Sequence, residues 1–312
     1  MIGVGVGLRR RRFGGGGFSG LLDEYSGAAA AYSLRQLSST YSGDAIRVRR
    51  LSDNTETNIG FVNNELDTTT LDTFCSGTDG FVTTWYDQSG NGYDATQTTA
   101  SNQPKIYDSV SGVIEENGKP AVEFDGSNDA FIVWNNTTAP TLFQDMSDAI
   151  TLLSVEKASV ISNSNGSWYN GSTIIEIRSN INTAHVPFNL GYSNNTSGFG
   201  VKGDLPNSEM EFSSTLIVAQ RLTSRYINSD DLEVYINNAS AISTTFTIAT
   251  GDRSVSTINS TFAIGSRSRD GGQVDNALFT GTMQEIVLYK SNLLSDNSGI
   301  NTNINDFYSI YP

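Results

Sequence analysis

The residues of this chain that could do chemistry are mostly carboxylates and amides. Its 312 residues include one histidine, His185, and one cysteine, Cys75. A Ser-His relay, a zinc site of His and Cys ligands and an intrachain disulfide are therefore all disfavoured. His185 has no neighbouring carboxylate or thiol in the sequence, which is typical of an ordinary polar residue. Any nucleophile, proton donor or ligand must come from the acidic, amide and aromatic side chains.

One group of oxygen donors lies in the stretch DGSND, where Asp125, Asn128 and Asp129 could supply ligands to Ca²⁺. Asp and Asn are also frequent in tight turns, because their short side chains accept hydrogen bonds from nearby backbone N–H groups. We therefore predict a turn without a metal or a cofactor, and Ca²⁺ is the alternative.

The densest combination of functional side chains is WYDQSG at residues 85–90. It could be a catalytic motif, a lip that contacts sugar, or a turn that holds the fold together. Asp87 and Gln88 can satisfy the backbone donors of a turn, and Gly90 and Gly92 permit a positive φ. We predict a structural role, with Trp85 packed on the body of the protein and the sugar-contacting lip as the alternative.

A second aromatic pair, Trp168 and Tyr169, lies in the segment NGSWYNG, which is predicted to be a loop. Adjacent exposed aromatic rings favour contact with a glycan or a protein, and ordinary packing is the competing interpretation. We assign both residues as candidates for sugar binding.

Strand-like segments position these residues. From about residue 105 onwards, short apolar or alternating runs recur between polar turns that contain Asn-Gly and Asp-Gly dipeptides. The absence of helical crossovers predicts an all-β fold, a two-sheet antiparallel jelly-roll sandwich over residues 105–312. The predicted strands cover residues 121–124, 131–134, 150–156, 173–177, 215–220, 232–236, 260–264 and 284–289.

The segment before residue 105 is predicted to be richer in helices and loops. Residues 26–43 carry apolar side chains at helical spacing, and Gly43 ends the segment. A second short helix should begin after Asp67, the predicted N-cap, and end before Gly77. Residues 46–51 alternate like a strand. The sandwich domain as a whole is predicted to span residues 21–312.

Residues 1–20 differ in composition from the rest of the chain. Four basic residues, Arg9, Arg10, Arg11 and Arg12, precede the glycine run at 14–17. Glycine tracts lose much backbone entropy on ordering, so we predict a flexible arm that docks on an acidic partner surface, or else a disordered tail. The segment does not fit a signal peptide.

The overall charge narrows the choice of partners. Nineteen basic and 33 acidic residues give a net charge of −14, which disfavours nucleic acid as a partner. No run of about 18 apolar residues occurs, so no membrane span is predicted.

Two family resemblances follow from specific segments. Residues 118–129, 231–237, 262–265 and 279–289 resemble strands of concanavalin A-like, laminin-G-like jelly rolls, which implies the fold. Residues 31–35, 46–53, 72–75 and 85–90 resemble the catalytic domain of α-L-arabinofuranosidases of glycoside hydrolase family fifty-four. Taken together, the similarity covers residues 25–312. The second resemblance implies hydrolysis with retention, by a Glu nucleophile and an Asp acid/base about 5 Å apart.

The chain departs from that family at its functional positions. The family's nucleophile segment, Asp-Leu-Glu-Asn-Gly, is matched by DLPNS at residues 204–208, which puts Pro206 in place of the nucleophile. Arg267 stands where the resemblance places the acid/base, and Gly80 stands where the disulfide partner of Cys75 would be. Proline has no carboxylate and arginine stays protonated, so we expect no hydrolysis of the family's kind. Asp204 and Asn207 remain candidates for sugar binding.

These observations led to one preferred function and two alternatives. The basic arm and the missing carboxylates favour a non-catalytic structural or adhesive protein of a phage-like virion. Such a protein would meet other virion subunits through its arm and could bind glycans or form a homo-oligomer. The alternatives are a secreted, extracellular carbohydrate-binding module and an active arabinofuranosidase. An active enzyme would need other carboxylates, such as Glu176, Asp204 or Asp270.

Overall fold

The computed structural model describes residues 17–137, 140–144, 149–159, 172–179, 188–192, 199–202, 209–212, 219–228, 231–245, 260–266, 268–269, 273–274 and 278–312. Residues 1–16 of the predicted arm, which include Arg9, Arg10, Arg11 and Arg12, lie outside these residues, whereas residues 17–20 are described. No helix in the described residues is long and apolar enough to span a membrane.

The described residues form short strands and a few short helices. The strands are β1 Ala28–Ser33, β2 Ile46–Arg50, β3 Glu56–Ile59, β4 Phe61–Val62, β5 Glu65–Leu66, β6 Gly80–Trp85, β7 Ala95–Thr96, β8 Lys105–Asp108, β9 Gly112–Val113, β10 Glu115–Glu116, β11 Lys119–Pro120, β12 Val122–Asp125, β13 Phe131–Thr137, β14 Ala149–Ala158, β15 Ser172–Ser179, β16 Phe188–Tyr192, β17 Phe199–Lys202, β18 Glu209–Phe212, β19 Arg221–Asn228, β20 Asp231–Ile236, β21 Ala239–Thr245, β22 Ser260–Ile264, β23 Ser268–Arg269, β24 Gln273–Val274 and β25 Thr280–Tyr289. The helices are α1 Leu21–Glu24, α2 Thr68–Cys75, α3 Thr141–Gln144 and α4 Asn297–Tyr308.

Strand β25 organises the first of two layers. Its two halves pair with β1 and β12 along one edge, and β14 pairs along the other. Strands β19, β20 and β21 continue this layer beyond β14. All of these pairings are antiparallel, as the sequence predicted.

Strand β22 organises the second layer, where it lies between β13 and β15. Strands β16, β17 and β18 extend the layer on one side. On the other side β13 leads through β7 and β6 to β2 and β3. Strand β8 pairs with both β6 and β12 and so connects the two layers.

The main core lies between the layers. Ile286 and Leu288 of the first layer belong to the same buried cluster as Phe131 and Phe262 of the second. This arrangement confirms the predicted all-β antiparallel sandwich, whereas the jelly-roll connectivity stays a prediction. Helix α4 covers the outer face of the first layer, where Ile304 packs in a second cluster with strand residues that include Leu153, Leu222 and Val287.

The helix predicted over residues 26–43 is wrong. Residues 28–33 form strand β1, and all six are buried. Ala29 and Tyr32 face the main core, whereas Ala31 packs in the cluster under α4. A strand covered on both faces produces a continuous apolar run, and such a run also contains apolar residues at the spacing that predicts a helix.

Two other local predictions fared differently. Helix α2 is confirmed, because the Asp67 side chain accepts a hydrogen bond from Thr70 N. Gln220, predicted to end a strand, lies outside any strand, and β19 begins at Arg221. The sequence RLTSRYIN of β19 carries polar side chains on both faces, so its composition gave no strand signal.

Candidate functional site

The motif at residues 85–90 is a structural junction. Trp85 is fully buried, and its ring centroid lies 6.1 Å from those of Tyr32 and Phe131. Trp85 therefore packs in the core between the layers and cannot stack on a ligand at the surface.

The polar residues of the motif join β6 to the β1 segment. Asp87 Oδ1 accepts hydrogen bonds from Ala31 N at 2.8 Å and Ser89 N at 2.9 Å. Asp87 Oδ2 accepts from Ser89 Oγ at 2.7 Å and from Tyr93 N at 3.0 Å. These bonds occupy both oxygens of a carboxylate that is 4% exposed, so Asp87 is poorly suited to act as a nucleophile or a proton donor.

Gln88 completes the junction. Its Oε1 atom accepts from Leu37 N at 2.8 Å, and its Nε2 atom donates to the carbonyls of Ser33 and Arg35, both at 3.0 Å. Gly90 and Gly92 have φ values of 88° and 76°, as the sequence predicted. The structure favours the structural interpretation of this motif over a sugar-contacting lip.

A buried ion pair lies beneath α4. Arg35 donates through Nε to Glu285 Oε2 at 2.7 Å and through Nη2 to Glu285 Oε1 at 3.0 Å. Ser33 Oγ and Tyr308 Oη donate to the same carboxylate oxygen, Oε2. Tyr308 is buried close to this carboxylate, and desolvation together with the negative charge raises its pKa. The cluster joins β1, β25 and α4, and its full saturation indicates a role in stability.

A second charged cluster faces the interior on β14 and β19. Glu156 Oε1 accepts a hydrogen bond from Thr223 Oγ1 at 2.9 Å and lies 3.9 Å from Arg221 Nε. Arg225 donates to Ser154 Oγ at 3.2 Å. Loss of either partner of such a buried pair would leave an uncompensated charge, so the two side chains depend on each other within the fold.

Most of the residues implicated by the sequence lie outside the described part of the chain. The residues outside it are Trp168, Tyr169, Asp204, Pro206, Asn207, Arg267 and Asp270. The backbone of Glu176 is described; it lies in β15 and pairs with Asn189 and Ala263.

The predicted calcium ligands form a turn. Asp129 Oδ2 accepts a hydrogen bond from Asp125 N at 2.9 Å, and Asp125 Oδ1 accepts from Ser127 N at 2.7 Å. The part of the chain that the structure describes contains no cluster of three or more His, Cys, Asp or Glu residues that could hold a metal ion. The two hydrogen bonds place these carboxylates in a turn, and Asp125 and Asp129 also line a groove.

That groove, called here the Arg49 groove, has a volume of about 590 Å³ and lies beside the ends of β2, β6, β8 and β12. Residues that line it include Arg49, Leu51, Phe81, Lys105, Glu123 and Asp129. Strand register brings two of them together, because Glu123 of β12 pairs with Lys105 of β8. The groove thus combines apolar, basic and acidic side chains from four strands and their turns.

Two ionisable residues of the groove are almost fully buried. Arg49 and Asp129 are each 6% exposed. Burial raises the pKa of Asp129 to about 7, and the nearby negative charges of Asp125 and Glu123 act in the same direction. The backbone N–H of Asp125 and the charge of Lys105 act against this shift. Asp129 therefore holds its proton at weakly acidic pH, which is unusual for an aspartate.

Sequence reasoning missed the Arg49 groove. It named Asp129 only as a calcium ligand, and it recorded Arg49 only as part of an alternating strand. Nothing in the spacing of these residues could have joined them, because Arg49, Phe81 and Asp129 meet through β2, β6 and the turn after β12.

Comparison with protein families gives one match. Residues 24–174 match the family described as "Alpha-L-arabinofuranosidase B, catalytic". Among curated proteins, the chain is 39% identical over 103 residues to α-L-arabinofuranosidase B of Emericella nidulans. That alignment covers 30% of the chain and 20% of the relative.

Solved structures extend the similarity of fold to most of the chain. An arabinofuranosidase complexed with arabinofuranosyl-α-1,2-xylobiose matches with a TM-score of 0.63 and 18% identity. A GH54 α-L-arabinofuranosidase soaked with a cyclic sulfate inhibitor matches with a TM-score of 0.62 and 16% identity. Each alignment covers 89% of this chain and 62% of the other chain. The chain therefore spans less than two thirds of these relatives.

These matches contradict the preferred function from the sequence. The prediction of a non-catalytic structural or adhesive protein of a phage-like virion, based on the basic arm and on two positions without a carboxylate, is therefore wrong. The family match and the similar folds instead indicate a glycoside hydrolase relationship. The composition of one short segment carries less information than a match to one family over residues 24–174.

Proposed function

We propose that this chain, whose residues 24–174 match the family described as "Alpha-L-arabinofuranosidase B, catalytic", hydrolyses terminal α-L-arabinofuranosyl groups from glycans. The observation that carries the proposal is the family match over residues 24–174. That stretch contains the WYDQSG junction, helix α2 with Cys75, and the Arg49 groove.

For the second half of the chain, the proposal is supported by the similarity of fold. The similarity to arabinofuranosidases of known structure covers 89% of the chain, well beyond the region matched by the family. A sandwich of the same kind could therefore present a site for a furanosyl group at the same place as in those enzymes. Fold similarity alone does not assign an activity, which is why the catalytic carboxylates need a direct test.

Retention of configuration requires two carboxyl groups about 5 Å apart across the scissile bond. Pro206 and Arg267 cannot supply them. The proposal therefore assigns the two roles to other acids, and the candidates from the sequence are Glu176, Asp204 and Asp270. Asp87 and Glu285 are excluded because their oxygens are occupied by buried hydrogen bonds within the fold.

The experiment is hydrolysis of 4-nitrophenyl α-L-arabinofuranoside by the purified full chain between pH 4 and 8. We expect release of 4-nitrophenol and at least a thousandfold loss of kcat in one or two of the variants Glu176→Gln, Asp204→Asn and Asp270→Asn. Glu115→Gln is the matched control, because Glu115 is exposed and does not line the Arg49 groove.

A folded protein that releases no 4-nitrophenol anywhere in this pH range would overturn the proposal. That result would instead support the sequence-based prediction that Pro206 and Arg267 abolish hydrolysis. Circular dichroism on the same sample shows whether the protein is folded.

A further inference from the structure

The geometry of the Arg49 groove points to a second binding function: we propose that it holds a neutral saccharide segment through hydroxyl groups and C–H faces. The saccharide would be part of the glycan that carries the arabinofuranosyl group, so the inference rests on the proposed function. No residue of the groove coincides with the sequence-assigned catalytic candidates.

The first observation concerns Arg49. Its guanidinium is buried, and it donates to three neutral acceptors, namely Gln103 Oε1 at 2.6 Å, Asn54 Oδ1 at 2.9 Å and the carbonyl of Ala100 at 3.3 Å. Among the described residues, no carboxylate forms an ion pair with it. Three of the five guanidinium N–H groups are used by these bonds, so two donors remain for a ligand. A buried arginine without an acidic partner is costly unless something else completes its hydrogen bonding.

The second observation concerns Asp129 on the opposite chain segment. Its Oδ2 atom accepts from Asp125 N, whereas its Oδ1 atom has no hydrogen-bond partner in the described part of the chain. Asp129 is buried, and a carboxyl group that uses only one oxygen leaves the other available to a group in the groove. Glu123 and Asp125 are exposed and add further acceptors to the same wall.

The third observation is the apolar surface between these polar groups. Leu51 is 53% exposed, which is unusual for a large aliphatic side chain, and it lines the groove beside Phe81. The Phe81 ring lies 5.1 Å from the Arg49 guanidinium carbon, which holds the ring in place. Such a surface suits the C–H face of a sugar ring.

The charges of the groove favour an uncharged ligand. Lys105 is already paired with Asp79 at 3.0 Å and Asp108 at 3.3 Å, so it offers little to an anion. The exposed carboxylates of Glu123 and Asp125 would repel a carboxylate or a phosphate. No metal-binding cluster occurs in the described residues, which argues against a divalent cation. Hydroxyl groups both donate and accept hydrogen bonds, so a neutral saccharide suits the donors of Arg49 and the acceptors of Glu123 and Asp129 at once.

The experiment is isothermal titration of the full chain with xylotetraose, a neutral pentose oligosaccharide, and with the same oligosaccharide carrying one glucuronic acid. We expect binding of xylotetraose and weaker binding of the acidic analogue. Glu123→Gln and Leu51→Ala should each weaken binding by about tenfold, the size expected for one hydrogen bond to a charged group or one buried apolar contact. Both positions are exposed, so both variants should fold, and Glu115→Gln should bind like the unmodified protein.

Affinity for xylotetraose that changes less than twofold in both variants would overturn the inference, as would equal or tighter binding of the acidic analogue. Hydrolysis of 4-nitrophenyl α-L-arabinofuranoside is measured on the same samples. If the protein hydrolyses the substrate but the variants bind the oligosaccharide as before, the inference about the groove is rejected and the proposed function stands. If the protein hydrolyses nothing but the variants lose oligosaccharide binding, the proposed function is rejected and the inference about the groove stands.

Discussion

A Cβ atom built on Gly80 would lie 2.6 Å from the Sγ atom of Cys75. Gly80 begins strand β6 and Cys75 ends helix α2, and the backbone of Gly80 does not adopt a positive φ. A side chain at the position that the family resemblance assigns to the disulfide partner of Cys75 would therefore meet the Cys75 thiol, although the residue here is glycine. Because glycine has no Cβ, it leaves room for the buried thiol.

The first prediction is that Gly80→Cys forms a disulfide with Cys75 under oxidising conditions. The six-residue loop is short, so we expect about 2 kcal/mol of stabilisation relative to the reduced form. Thiol titration in denaturant should show no free cysteine in the oxidised variant, and urea unfolding measures the stability. Gly80→Ser is the control, because its Cβ meets the same neighbours, including Tyr107 Cβ at 3.1 Å, without a bond to gain. Two reactive thiols after oxidation would contradict the prediction.

The second prediction concerns Asp87. Asp87→Asn should lower the free energy of unfolding by about 2–3 kcal/mol, because an amide NH₂ would then face buried N–H donors that the carboxylate now satisfies. Urea denaturation followed by tryptophan fluorescence measures the loss, since Trp85 lies in the same junction. Asp53→Asn is the control, because Asp53 is exposed and lies on a different turn. A cost of less than 0.5 kcal/mol, within the range of surface substitutions, would show that the junction does not stabilise the fold.

The third prediction concerns the pair formed by Arg35 and Glu285, whose side chains are 7% and 1% exposed. Glu285→Gln leaves the Arg35 charge buried and should cost about 3–5 kcal/mol. The single variants Arg35→Met and Glu285→Met each leave one charge uncompensated. The double variant Arg35→Met/Glu285→Met should therefore lose less stability than the sum of these two single losses. A double-mutant cycle from urea unfolding measures this coupling. Additive effects of the single variants would mean that the two residues act independently.

The fourth prediction is a pH dependence that arises at Asp129. Burial and the neighbouring carboxylates raise its pKa to about 7 in the folded chain, whereas the carboxyl of an unfolded chain titrates near 3.8. Between pH 4 and 7 the folded state therefore binds a proton that the unfolded state has released. The contribution of Asp129 to stability is fully present below pH 4 and decreases as the pH rises through 7, by up to about 1.4 kcal/mol per pH unit.

Asp129→Asn should remove this contribution, so the difference in unfolding free energy between the variant and the unmodified chain should change with pH across this window. Unfolding in urea at several pH values between 4 and 8 measures it. Glu115→Gln should leave the pH profile unchanged, because Glu115 is exposed. A constant difference between Asp129→Asn and the unmodified chain would contradict the raised pKa.

The sequence by itself determined the features whose causes are local. Asp67 caps α2 because its carboxylate reaches an N–H group three residues away. Asp125 and Asp129 make a turn for the same reason. The strand predicted over residues 260–264 appears as β22 with the same limits, because a short apolar run bounded by polar residues suits a strand that is buried on both faces. Alternating short strands likewise predicted the antiparallel sandwich.

Tertiary structure decided the features that depend on distant neighbours. Residues 28–33 are a strand because β25 offers a partner edge and both faces of β1 are covered, which outweighs the helical preference of alanine. Helix α4 was missed because its Asn, Ser, Gly and Thr residues are weak helix formers, although Ile300, Ile304 and Tyr308 recur at a spacing of four. Contact of these three side chains with the first layer stabilises α4.

One candidate site could be interpreted from the sequence, and the other depended on tertiary structure. The sequence predicted that the WYDQSG junction is structural, because glycine permits a positive φ and short polar side chains bond to nearby backbone groups. It could not identify the Arg49 groove, because Arg49 of β2 and Asp129 of the turn after β12 are far apart in the sequence. They line one groove only when β2, β6, β8 and β12 are side by side. The burial that raises the pKa of Asp129 is likewise a property of the folded chain, because desolvation depends on every neighbour that excludes water from the carboxyl group.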